Sequence, residues 1–576
     1  MQLEILFLKY TRIMSFENDD QNSNKNLFIA IFLFLIFMVG YNYFFEKKHN
    51  DSPITKENVE PKSESKEYTS SEESLKKTSR IYIENSKLKS SIDLCGSVID
   101  SVILKDYKQT TESSSANVDL LSPKGTKNEF FYSISYEGHV NADIMWEKIP
   151  DSTNEIHQVV NLKAQTPTGL VVERNITLDD GYMIKISDKL VNTSEKDISV
   201  SNSADIIRRE PAINNYAVVH EGFVGINAVE DKISEVKYSD VEHNVSVGNS
   251  KWFGYTDIYW LISHIGIDKN TNISYSKIGE NVYKCSLAKE NKITIKPKES
   301  TNLQYSVFVG PKDVSILQKY SQNLDLDKFD MAIDFGWFFM LTKPLLHLLD
   351  IMARIFNNMG VVILLITLMF KIITYPLMGK SLRSAAKMRE VQPKIAALQK
   401  AYAHDKQRMN QELVVLYKKE QISPLSGCFP MLLQAPIFFC LYKVFFISIE
   451  MRHAPLFGWI RDLSAPDQCY LFNLFGVIDW IPPKFLQIGV WPLIMGLSMF
   501  LQQKLSSAKG SNSGVPKTQE AKIQENMMYA LPVIFTYICS SFPVGVVVYW
   551  TISNVFSIIQ QYYLNNKIKR RLKRPI

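Results

Sequence analysis

A lysine inside an apolar run is the residue of this chain with the clearest chemical consequence. Lys371 lies within residues 360–377, GVVILLITLMFKIITYPL, which are otherwise almost wholly apolar. With the apolar residues just before it, this run is long enough to cross a bilayer as a helix. A Lys in such a helix costs about 2.5–3.5 kcal/mol on insertion scales, and chains that tolerate it point the charge at a partner or into a wet cavity. The other reading is snorkelling: taking the helix centre near Ile366, Lys371 sits about 7 Å toward one face, within reach of the headgroups for a long side chain. From this residue alone both readings stand. The rest of the chain offers no competing chemistry. Residues 80–313 contain no phosphate loop and no HExxH. Six cysteines, at 95, 285, 428, 440, 469 and 539, have neither zinc nor disulfide-framework spacing, and a Cys95–Cys285 pair is left open.

The elements that must position Lys371 read as follows. The chain has 576 residues, 46% of them hydrophobic, and a net charge of +6. Its mean hydropathy of −0.08 fits a membrane protein with a large soluble part. Residues 1–26 are an N-terminal extension. Residues 27–45 are uncharged and span-length, with no small-x-small cleavage site after them, so they read as an uncleaved anchor. Residues 46–79 are rich in Lys, Glu, Ser and Pro and read as a disordered linker. From 80 to 333 short alternating runs, such as the two joined at Asp179-Asp180-Gly181, predict a β-sandwich. Residues 334–354 carry Lys343, His347, Asp350 and Arg354 on one face of an amphipathic helix, expected at the membrane interface.

Further spans are expected at 355–378, 423–449, 485–503, 526–542 and 544–563, with a reversal at Pro543. Residues 379–422 predict a helical hairpin outside the membrane, with ten Lys or Arg against four acids. The loop 504–525 and the tail 564–576 are also basic, and basic loops stay cytoplasmic. That places the N-terminus, hairpin and tail inside, and both the β-domain and the loop 450–484 in the periplasm. Lys443, near the outer end of its span, is expected to snorkel outward.

The motifs along the chain are then similar to those of a known family. They include Asp334-Phe335-Gly336-Trp337, Lys387-Met388-Arg389, Gln392-Pro393-Lys394, Gln434-Ala435-Pro436-Ile437-Phe438, Glu450-Met451-Arg452-His453-Ala454-Pro455, Trp459-Ile460-Arg461-Asp462 and Pro543-Val544-Gly545, with Gly310-Pro311-Lys312 at the end of the outer domain. In this order they resemble the YidC/Oxa/Alb membrane-protein insertases, in the Gram-negative form. The resemblance implies a polytopic α-helical membrane protein, an N-terminal anchor plus a five-helix insertase core, with a large periplasmic β-supersandwich. It implies a hydrophilic groove open to the cytoplasm, lined by Lys371, Thr367, Gln434, Tyr549 and Trp550. Lys371 stands where many relatives have Arg, and Trp550 replaces a tyrosine, which removes a hydroxyl. The implied protein is no enzyme and uses no cofactor, metal or small-molecule substrate. Its implied partners are nascent membrane proteins, the Sec translocon, the ribosome with targeting factors, and membrane lipids, in the bacterial inner membrane. The residues also admit two other readings, a secondary transporter and a membrane-anchored periplasmic carbohydrate-binding protein.

Overall fold

The computed structural model describes residue 68 and residues 70–572, apart from 142, 151–157, 212–218, 228–231, 242–244, 267–271, 288–291, 403, 421–428, 479 and 508–518. The expected anchor at 27–45 and the extension before it lie outside the described residues. At the end of the expected linker the chain is ordered: Ser71–Lys77 form helix α1. Ser70 and Glu73 close a capping box, with acids in the first turn and lysines in the last, so local capping overrides the disorder-prone composition.

Among the described residues the β-domain has a ten-stranded and a nine-stranded sheet. Alternation explains the strands. In Met183–Asn192 the residues Ile184, Ile186, Asp188, Leu190 and Asn192 all turn inward. Asp188 is tolerated there because Arg174, its register partner on Leu170–Leu178, meets it in two hydrogen bonds of 2.6 and 2.7 Å. Tyr136 from the other sheet donates to Asp188 at 2.5 Å, and Tyr132 joins His264 across the sheets at 2.9 Å. These polar groups are therefore interior ties between the layers. Burial holds the His264 imidazole neutral, near a pKa of about 3. Cys95 and Cys285 are not joined by a disulfide.

The strand Ser300–Pro311 delivers the chain to helix α2, Val314–Asn323, capped by Asp313. Helix α3 runs Phe339–Phe356, starting five residues later than 334, because Gly336 takes a positive φ of 70° and Asp334 accepts from its N–H. The polar face of α3 does not face water alone. Lys343 pairs with Asp330 at 2.6 Å, Arg354 pairs with Asp350 at 2.8 Å, and Ser315 of α2 also donates to Asp350. Asn357 in the left-handed region ends α3, and Asn358 caps α4.

Helix α4 is Met359–Ala401, 43 residues without the break expected at 378. Pro376 and Gly379 weaken the ladder locally, but neither meets a stop signal, so the spanning segment and the first hairpin arm are one helix of about 65 Å. Helix α5, Lys406–Lys419, folds back on it after the Asp405 cap. Met388, Val391 and Ile395 pack on Leu413, Leu416 and Tyr417, and Lys394 pairs with Glu420 at 2.6 Å. Helix α6 is Phe429–Ile447, α7 is Val490–Ser507, α8 is Gln519–Cys539 and α9 is Val544–Leu572. Helix α7 starts at 490 rather than 485 because Pro482-Pro483 allow only a 3-10 turn before it. Helix α8 starts earlier than 526, and α9 continues past 563 into the basic tail. Of these, Met359–Ser384 and Val544–Leu564 are the segments both long and apolar enough to cross a membrane, with shorter apolar stretches at Gln434–Ile447 and Tyr529–Cys539.

Candidate functional site

Helix α4 packs against α9, and Lys371 lies on that seam. Its ammonium donates to Ser557 Oγ of α9 at 2.8 Å. The neighbours Ile372 and Ile373 are well exposed on the opposite side, as a lipid-facing surface requires. The side chain thus points into the helical core. Among the described residues no carboxylate pairs with it. The site is a cation held by one neutral hydroxyl in an apolar setting, which is the arrangement that attracts a negative group.

Gln434 of α6 donates to the Tyr549 hydroxyl of α9 at 3.0 Å, joining a second pair of expected residues. Tyr549 is itself buried. Trp550 sits among aromatics, with ring centres 4.6 Å from Phe438 and 5.1 Å from Phe535, so this position acts by packing rather than through a hydroxyl. Thr367 is one turn before Lys371 but fully buried, and its hydroxyl is taken by the Ile363 carbonyl at 2.6 Å. It therefore presents no free polar group in this structure, because a helix-internal bond satisfies the hydroxyl.

Sequence reading missed Ser557, the partner of Lys371. The signal was present: Tyr549, Ser553, Ser557 and Gln561 recur every four residues in α9, placing four polar groups on one face. All four are buried, and Asn554 beside them donates to Ser498 of α7 at 2.9 Å. A polar stripe inside a membrane helix faces protein or water rather than lipid.

Lys443 differs from expectation. It is buried and pairs with Asp334 at 2.7 Å, so it does not snorkel outward. Asp334 also accepts from the His220 N–H of the β-domain at 2.9 Å. Burial alone raises the Asp334 carboxyl, but the Lys443 charge and hydrogen bond, with the two backbone N–H groups, hold it below its ordinary value. The carboxylate sits beside the turn made by Gly336, within hydrogen-bond reach of the Lys443 ammonium, so the cation is paired rather than left to water. Nearby, Asp313, Asp350 and Glu450 bring their oxygens within 4.8 Å of one another. Burial first, then the neighbouring acids, push Glu450 up to about 7 against the Ser448 hydrogen bond.

Comparison with known proteins shows the family to which the chain belongs. The family described as YidC periplasmic domain matches residues 80–348, and the one described as 60Kd inner membrane protein matches residues 351–571. A membrane protein insertase YidC from Rickettsia felis is 37% identical over 578 residues, covering 94% of this chain and 99% of its own. One from Rickettsia prowazekii is 36% identical over 577 residues with the same coverage. Among solved structures, an active YidC insertase crystal structure aligns over 84% of this chain and 92% of its own, at 15% identity and a TM-score of 0.34. The sequence matches carry the assignment, and they do not favour the transporter or carbohydrate-binding readings. The chain belongs to the YidC family of membrane protein insertases, inner-membrane proteins with a periplasmic domain.

Proposed function

We propose that this insertase recruits the acidic outer tails of nascent membrane proteins through Lys371, from a wet groove bordered by α4, α6 and α9. The observation that carries the reading is the Lys371–Ser557 contact, a core cation with a neutral partner. Dragging a polar tail through hydrocarbon costs several kcal/mol per unsatisfied group. At 4 Å and an effective dielectric of 20 a carboxylate gains about 4 kcal/mol from Lys371 before desolvation, enough to recruit and weak enough to release. Gln434 and Tyr549 offer hydrogen-bonding groups along the same path. The apolar part of the substrate then partitions into lipid, which completes insertion without nucleotide or metal.

The charge distribution supports an orientation with the N-terminus, the hairpin of α4 and α5 and the basic tail in the cytoplasm, and the β-domain in the periplasm. The basic hairpin and tail suit ribosomal RNA or acidic targeting factors. Action beside the Sec translocon, and contact of α3 with lipid headgroups, belong to the same reading. The test compares Lys371→Arg with Lys371→Glu in proteoliposomes, using a single-span substrate with an acidic tail. Arg should retain most insertion, and Glu should reduce it by tenfold or more. Equal activity of the two variants sinks the recruitment role.

A further inference from the structure

The loop between α6 and α7 carries a surface that recruitment by Lys371 does not use. Its base is closed by the bridge between Tyr470 and Gly489 and by buried Asp467. One Asp467 oxygen accepts from the Trp459 indole at 2.9 Å and the Cys469 N–H at 3.0 Å, and the other accepts from the Trp491 N–H at 2.8 Å. A Cβ at Gly489 would come within 2.6 Å of the Asp467 side chain, so the root is tightly packed.

Beyond this root the apolar side chains turn outward. Val477 is 83% exposed, Ile481 79% and Phe485 62%. Leu474 and Phe475 are about half exposed and adopt φ values of 50° and 62°, ahead of Gly476 at 91°. Bulky residues avoid this left-handed region, so the backbone is strained at Leu474 and Phe475. The conformation is pinned by Phe475 N–H to the Tyr470 carbonyl at 2.9 Å and Gly476 N–H to Asn473 Oδ1 at 3.0 Å. Residues 470–489 hold only Asp479 and Lys484 as charges. The loop leads straight into α7, where Leu497 and Leu501 are exposed apolar residues.

We propose that residues 471–478 and 480–485 form a hydrophobic foot seated in the outer leaflet, its partner being the phospholipid bilayer itself. The proposal rests on the reading that α7 spans the membrane with its first residue outside. Lipid is favoured over a protein occupant because the loop runs directly into α7, which the proposed orientation places in the bilayer with Leu497 and Leu501 exposed. Trp480 also supplies a ring suited to headgroup depth, and Lys484 a cation suited to phosphate. A surface so apolar and so firmly held in shape is costly in water, and an interface supplies what covers it.

The full-length protein, reconstituted in phosphatidylethanolamine–phosphatidylglycerol vesicles with a phospholipid bearing a diazirine high on its acyl chain, tests this directly. Photolysis followed by peptide mass spectrometry should find lipid adducts on the loop as well as on Leu497 and Leu501. The double variant Phe475→Asp, Ile481→Asp should lose at least fivefold of the loop adducts while those on α7 persist. Adducts on α7 with none on the loop overturn the foot. So does capture of a second copy or of a substrate helix by a photoreactive residue at 475 in place of lipid. Adducts on neither segment overturn the spanning reading, and the foot with it.

Discussion

Two lysines lie among the core helices, Lys443 buried and Lys371 half-buried, and they are held in opposite ways. Lys443 meets the Asp334 carboxylate at 2.7 Å, and Asp334 in turn takes a backbone N–H from the β-domain. Among the described residues, Lys371 meets the Ser557 hydroxyl at 2.8 Å and no carboxylate. The first is a closed ion pair that fastens the outer domain to α6. The second keeps its charge for something else. Burial of a cation is therefore not by itself the mark of a site; the absence of a fixed anion beside it is the informative part.

The sharpest break of this comparison is Asp334→Ala. It strands the Lys443 charge and should cost about 3–5 kcal/mol, the range for removing one partner of a buried pair. Thermal unfolding of the detergent-solubilised protein measures it, and Asp334→Ala with Lys443→Met should recover much of the loss. The Asp334 carboxyl is depressed in the folded protein. Its contribution is thus present above the ordinary carboxylate range and disappears as pH falls through the lower, folded value.

Glu450 has the opposite sign. Its folded value is raised to about 7, so the folded state holds its proton more tightly. That contribution is complete below the ordinary glutamate range near 4.5 and is lost as pH climbs to 7. Glu450→Gln should therefore stabilise the junction at pH 8, by at most about 3 kcal/mol, and change little at pH 4. Hydrogen exchange around α2 and α3 at the two pH values reads this out, and an equal effect at both removes the argument.

Lys371→Met should behave unlike any change at Lys443. Removing a cation with no anionic partner should leave stability unchanged or raise it by about 1–2 kcal/mol, while insertion of acidic-tailed substrates falls. If the variant instead unfolds as readily as Asp334→Ala, the two lysines are of one kind and the contrast fails. The smallest effect is expected from Ser557→Ala, about 1 kcal/mol for one lost hydrogen bond, seen as a severalfold fall in insertion rate with the same melting temperature within a few degrees.

Much of the architecture was legible in the linear order of residues. Two-residue alternation marked the sandwich, apolar runs marked the core helices, and the Lys/Arg bias supplied an orientation. Those are local properties, set by where side chains fall on a strand or helix. Helix ends were read less well, as at 378, where α4 runs on, and at 485, where two prolines delay α7. Such ends depend on caps and on what packs alongside. Lys371 was legible as a candidate, because its cost is visible from composition, but Ser557, 186 residues away, was not.

What the amino-acid order alone determined was therefore that an expensive cation sits in a membrane helix, and that some partner or water must offset it. Which cation meets a carboxylate and which, among the described residues, meets a neutral hydroxyl was settled only by the tertiary fold. Asp334 and Lys443 are 109 positions apart, and a turn at Gly336 has to bring one to the other. Electrostatic energy depends on separation in space and on the surrounding dielectric, and neither quantity is written in the spacing of residues along the chain.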